Sequence, residues 1–150
     1  MGQEETLIDY AQPRPSDFPK IVCLCGSTRF KEEFIRVNFE ETIAGHIVLS
    51  VGFFTHADGE HYPLTEAEKT ELDKLHKRKI DLCDEVVVIA PVCKVCQQCG
   101  SVRRFDHVVG ILCTCGADLD RVEPLLYIGN STRSEIEHAT NQGKPIRYRS

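Results

Sequence analysis

Leu125-Leu126-Tyr127-Ile128, running into Gly129-Asn130-Ser131-Thr132-Arg133-Ser134-Glu135-Ile136-Glu137-His138-Ala139, is the stretch whose reading decides the fold. The apolar run has the character of a strand. Asn130, Ser131 and Thr132 are all helix-capping residues, because their short side-chain oxygens accept the free N–H groups of a first turn. Ile136 and Ala139 fall on one helical face, and Gly143 followed by Pro145 ends the helix. A strand that feeds a helix through a polar turn presents free backbone N–H groups to a crevice at the strand's carboxyl end, where α/β proteins bind ligands. Glu135 is predicted in the first helical turn, where the helix dipole favours an ionised carboxylate fit to act as a nucleophile. Thr132-x-x-Glu135 also matches a capping box, in which the glutamate only reaches back to the cap residue.

Working outward, the same strand, turn and helix pattern recurs. Ile21-Val22-Cys23-Leu24-Cys25 ends at Gly26-Ser27-Thr28-Arg29, and Phe30, Phe34 and Val37 follow at helical spacing. His46 to Val51 predicts a second strand, and Gly52 to Pro63 a loop with Phe53, Phe54, His56, Asp58, His61 and Tyr62 suited to covering a ligand. A capping box at Thr65-x-x-Glu68 opens a helix expected to bury Leu72, Leu75 and Ile80 and to solvate Lys74, Lys77 and Lys79. Val86 to Ala90 predicts a buried parallel strand and Pro145 to Tyr148 a last one. The alternation predicts a three-layer α/β domain with a parallel sheet of four or five strands, the uncertain member being Leu125 to Ile128.

Two segments stand outside that alternation. Residues 1–19 carry Pro13, Pro15 and Pro19 with little periodicity and are expected to form an arm, suited to packing on a partner subunit. Residues 92–124 hold Cys96-Gln97-Gln98-Cys99-Gly100 and Cys113-Thr114-Cys115-Gly116, two turns that present thiolates convergently. Cys96, Cys99, Cys113 and Cys115 therefore predict a structural zinc site, closed by four protein ligands, with Cys93 or His107 as substitute ligands. An iron-sulfur cluster or an oxidised cysteine pair is the competing reading. Cys23, Cys25 and Cys83 lie in or beside apolar segments and are expected to be small core residues, Cys25 also a pocket wall.

The 150 residues suit one domain with a real core, and the net charge of −5 offers no general attraction to nucleic acid or an anionic membrane. No apolar stretch is long enough to span a bilayer, and acidic Met1 to Asp9 lacks the pattern of a signal peptide. A cytoplasmic protein with reduced or metal-bound cysteines is expected.

Ile21 to Phe30, Asp81-Leu82-Cys83-Asp84-Glu85-Val86-Val87-Val88-Ile89, and Ser131 to Ala139 ahead of Gly143-Lys144-Pro145 together resemble the nucleoside 2-deoxyribosyltransferase-like superfamily. That group includes 2'-deoxynucleoside 5'-monophosphate N-glycosidases. The resemblance covers residues 20–91 and 125–149 and assigns 20–91 and 125–150 to the α/β domain. It implies a flavodoxin-like domain, a homodimer or higher homo-oligomer, and a site at the carboxyl ends of the strands. Carried over by residue, it makes Glu135 the nucleophile, whose carboxylate captures an oxocarbenium-like sugar as a glycosyl ester. It makes Cys25, Gly26, Ser27, Thr28 and Arg29 the turn that grips a 5'-phosphate, with Ser131 and Ser134 as added donors. Ser27 and Thr28 also serve plain helix capping. Where the family carries a strand tyrosine this chain has Cys23, where it carries an aspartate before the third strand it has His76, with Asp73 one turn away, and its acidic residue before the nucleophile's turn becomes Gly129 or Asn130. His76, His61 and Asp58 are then the candidates for protonating the departing base.

Three functions follow: an N-glycosidase or deoxyribosyltransferase acting on a nucleotide or nucleoside through Glu135, a silent nucleotide-binding protein, and a zinc-ribbon module recruiting partners through Arg103 and Arg104.

Overall fold

The computed structural model describes residues 13–54, 63–105 and 110–150. The body is a four-stranded parallel sheet built from β1 (Ile21–Gly26), β2 (Ile47–Leu49), β3 (Glu85–Ile89) and β7 (Ile146–Arg149), in the order β2-β1-β3-β7. Helices α1 (Lys31–Ile43), α2 (Glu66–Leu82) and α3 (Asn130–Asn141) pack on it. Alternation along the strands assigns the faces. Val22, Leu24, Val87 and Ile89 meet Phe30, Phe34 and Val37 on the α1 side. Cys23, Cys25, Val86 and Val88 meet Ile80 of α2 and Ala139 of α3 on the other. Both faces are covered, which is why β3 is an unbroken β-branched run.

The capping box at Thr65 and Glu68 forms as expected. Leu75 does not enter the core; it is 55% exposed, since the buried stripe of α2 runs through His76 and Ile80. Nor are Lys77 and Lys79 simply solvated. Their amines reach the Ser134 hydroxyl at 2.7 Å and the Ser50 carbonyl at 2.6 Å. The arm is described only from Pro13, where Arg14 pairs with Asp84 and lies over the Phe18 ring.

Leu125 and Leu126 form β6, which does not join the parallel sheet. It pairs antiparallel with β4 (Val92–Val95), whose other edge holds β5 (Val102–Arg104). Both leucines are exposed, as fits a short edge strand and not a core one. The small sheet is tied to the body by Cys93, which packs with the α1-side core, and by Arg104, which pairs with buried Glu33 of α1.

Helices α2 and α3 are pinned to each other by Asp81. Its carboxylate accepts from His138 Nε2 at 2.7 Å, from Gln142, and from Arg78 at 3.1 Å. These bonds, Gln142's foremost, hold its pKa down to about 2 from 3.8. A depressed carboxyl stabilises the fold above its unfolded pKa, and that stability is lost as pH falls through about 2. Acid unfolding of Asp81→Asn, followed by circular dichroism, is expected to show a shallower limb below pH 4, the difference being about 1 kcal/mol after solvent screening.

Candidate functional site

From β1 the chain turns to β2 on one side and later returns to β3 on the other, so the connections leave the carboxyl edge in opposite directions and open a crevice there. Gly26 ends β1 at that edge. A Cβ there would stand 2.8 Å from the Ile89 carbonyl oxygen of β3. Gly26→Ala is therefore expected to force the two strands apart and lower stability by about 1–3 kcal/mol, readable as a fall in Tm. Beyond it, Ser27 accepts a hydrogen bond from the Phe30 N–H through its carbonyl at 3.1 Å and from the Arg29 N–H through its hydroxyl at 3.3 Å.

The crevice is a cavity of about 630 Å³, within the ~300–1,000 Å³ range of small-ligand pockets. Gly26, Ser27, Thr28 and Arg29 line one side; Asp73, His76 and Lys79 line it from α2, and Asn130, Ser131, Thr132 and Glu135 from α3. The exit turn of β1 and the Glu135 carboxylate thus face a common space although they are distant in sequence.

Glu135 lies in the second turn of α3, not the first. The helix begins at Asn130 with Gly129 as its extended cap, so Thr132 is inside the first turn and no side chain caps the helix. The capping-box alternative for Glu135 is thereby removed, and so is the help expected from first-turn N–H groups. Burial is what sets its chemistry. Only 8% exposed, it is pushed up to about 7, with the charge of His76 and a hydrogen bond from the Cys25 thiol opposing the rise. The buried carboxylates Glu33 and Glu41 differ: Arg104 pairs with the first, and Arg147 at 2.8 Å with His46 at 2.7 Å with the second.

Behind the cavity lies a sulfur-rich floor. His76 Nε2 is 3.4 Å from Cys25 Sγ and 3.9 Å from Cys23 Sγ. Burial lowers the His76 pKa, but hydrogen bonding to Cys23 and the charge of Glu135 outweigh it and leave it raised. The two thiols are pushed apart: hydrogen bonding to Cys25 lowers the pKa of Cys23, and the same contact with burial raises that of Cys25.

Cys25 is fully buried behind the lining and is not a pocket wall. Ser134 lies outside the cavity lining because it points to α2, where Lys77 holds its hydroxyl. His61, Asp58 and His107 lie outside the described residues. Tyr127 was not foreseen. It lines the cavity edge-on to Phe30 at 5.7 Å, with the Arg29 guanidinium 6.0 Å from its ring centre. An aromatic on the strand entering the ligand turn was the available signal.

Away from this site, the sulfurs of Cys96, Cys99, Cys113 and Cys115 all lie within 4.8 Å of one another. Cys96 to Cys115 is 3.7 Å and Cys99 to Cys113 is 3.3 Å, close to the ~3.8 Å between sulfurs of a tetrahedral ion with ~2.3 Å bonds. Two matching turns build the group. Gly100 and Gly116, both at positive φ, return their N–H groups to the Cys96 and Cys113 carbonyls at 2.8 Å. The four thiols can hold a metal ion, and Cys93, packed in the body's core, is not needed. No helix among the described residues is long and apolar enough to cross a membrane. Comparison with protein-family models, curated proteins and solved structures finds no match to this chain.

Proposed function

We propose that the cavity binds a nucleoside 5'-monophosphate or a related nucleotide and that Glu135 cleaves its N-glycosidic bond. The observation that carries this reading is a buried carboxylate, with no guanidinium partner among the described residues, facing across one cavity the turn Gly26–Arg29. A buried acid with a perturbed pKa in a cleft is a mark of reactive sites, and a turn that brings hydroxyls and an arginine to the same cavity suits a phosphate. The resemblance to the deoxyribosyltransferase-like superfamily and its flavodoxin-like fold points the same way, as does the strand order β2-β1-β3-β7.

In the proposed reaction, ionised Glu135 forms a bond to C1' as the C1'–N bond breaks, and the bond's electron pair leaves with the base. His76 turns Nε2 to the thiols, so it is better placed to keep Glu135 ionised than to protonate the base. The base's proton then comes from water or from Asp73, an α2 carboxyl that lines the cavity one turn from His76. Water next attacks C1', the C1'–O bond to Glu135 breaks with its electron pair returning to the carboxylate, and the water's proton goes to the group that protonated the base, which frees the sugar phosphate. Lys79 and Tyr127 complete the walls. A second nucleoside base in place of that water would make the protein a transferase. A homodimer fits the same reading.

For the cysteine group we infer structural zinc: four thiolates close a tetrahedral ion and leave no place for a reacting water. The partner-recruiting reading loses ground, since Arg104 is already paired with Glu33. Incubation with a panel of nucleoside 5'-monophosphates and chromatography of free base tests the activity. Release from at least one is expected; saturable binding without release would make the protein a silent binder instead.

A further inference from the structure

Cys23 and Cys25 have no task in the proposed reaction and His76 acts there only through its charge, yet the donor atoms of all three lie within 4.8 Å of one another. Both cysteines sit on β1 two residues apart, so the strand's period places them on one face, and α2 brings the imidazole over them. The spacing suits a shared ion better than a disulfide. Residues two apart on a strand have Cα atoms about 6.6 Å apart and parallel Cβ bonds, whereas a disulfide brings the Cβ atoms to about 3.8 Å. Around a tetrahedral ion with S bonds of ~2.3 Å and N bonds of ~2.05 Å, sulfur and nitrogen stand about 3.6 Å apart. The observed 3.4 and 3.9 Å bracket that distance.

We infer that Cys23, Cys25 and His76 form a second metal site, for a thiophilic divalent ion of the zinc class, with its fourth position open to Glu135 or to water from the cavity. Three protein ligands leave that position free, unlike the closed four-sulfur group. A hydrogen bond joins Glu135 to Cys25, so its carboxylate is a near neighbour of the group. Ion entry is through the cavity, past Glu135 and His76, which line it. Binding releases the thiol protons to solvent. The site stands independently of the glycosidase reading. Where that reading also holds, a bound ion ties up the nucleophile, and excess zinc inhibits base release reversibly.

The test is native mass spectrometry and cobalt absorption on the full chain titrated with Zn2+ and with Co2+. Two ions per wild-type chain are expected, the second with a sulfur-to-cobalt band, falling to one in Cys25→Ala and in His76→Gln. Circular dichroism identifies any variant that has failed to fold; two variants protect against losing one that way. A single ion in the wild type overturns the inference, as does a second ion that both folded variants retain. Glu135→Gln is expected to keep the second ion with up to about tenfold weaker affinity, so loss of base release and loss of the site are read separately.

Discussion

Glu135→Gln is expected to abolish release of free base, by at least ~10³-fold in kcat/KM, which is about 4 kcal/mol of transition-state stabilisation. An amide is neutral at all working pH values and cannot form the glycosyl ester, while its size leaves the cavity unchanged. The same change should not weaken the fold. A carboxyl whose pKa is raised by burial from 4.5 to about 7 costs the folded state nothing below 4.5. The penalty grows as pH rises between those values and is complete above 7. At pH 8 the amide should therefore be more stable than the acid, by at most about 3 kcal/mol, and the gain should vanish at pH 4. Thermal melts at the two pH values, with zinc limited to one ion per chain so that the four-cysteine group alone is filled, check this. A substitution that inactivates while stabilising belongs to a site that the fold carries at a cost, whereas a merely structural glutamate would lose both.

Removal of metal from the four-cysteine group has the other large effect. Among the described residues its local core is Cys96, Cys113 and Leu119, with Ile111, Ala117 and Val122 packed partly against them. So small a cluster gives the described part of the cysteine turns little burial of their own to hold them in place. Structural zinc contributes about 10–16 kcal/mol of binding free energy in comparable small sites. Cys113→Ser or a strong chelator should therefore open the segment, giving proteolytic cleavage within it while the parallel sheet keeps its circular dichroism. Because β6 pairs with β4 and leads into Tyr127 at the cavity, nucleotide binding should weaken as well. Unchanged protease resistance with no bound zinc would remove the metal from the account.

The parallel sheet was legible because β1 and β3 are short apolar runs bounded by turn residues, a pattern set by burial on both faces. That Gly26–Arg29 and the start of α3 line one cavity was legible in part, because a polar turn opening a helix after an apolar run marks the edge where such cavities form. The placement of Leu125 and Leu126 was not legible, since an apolar pair fits an edge strand as well as a central one. It took the antiparallel partner β4 to decide. Leu75 was misplaced because α2 gives its inward positions to His76 and Ile80, which a count of apolar residues passes over. The thiol and imidazole cluster was hidden by distance, since β1 and α2 lie about fifty residues apart and only the fold joins them.

The most direct test of the central claim is to quench the protein with acid during turnover of a nucleotide that it cleaves, and to map the peptides by mass. A sugar phosphate bound as an ester to Glu135, absent from Glu135→Gln, is the predicted result. Base release with no adduct on Glu135, or with the adduct on another residue, would contradict it.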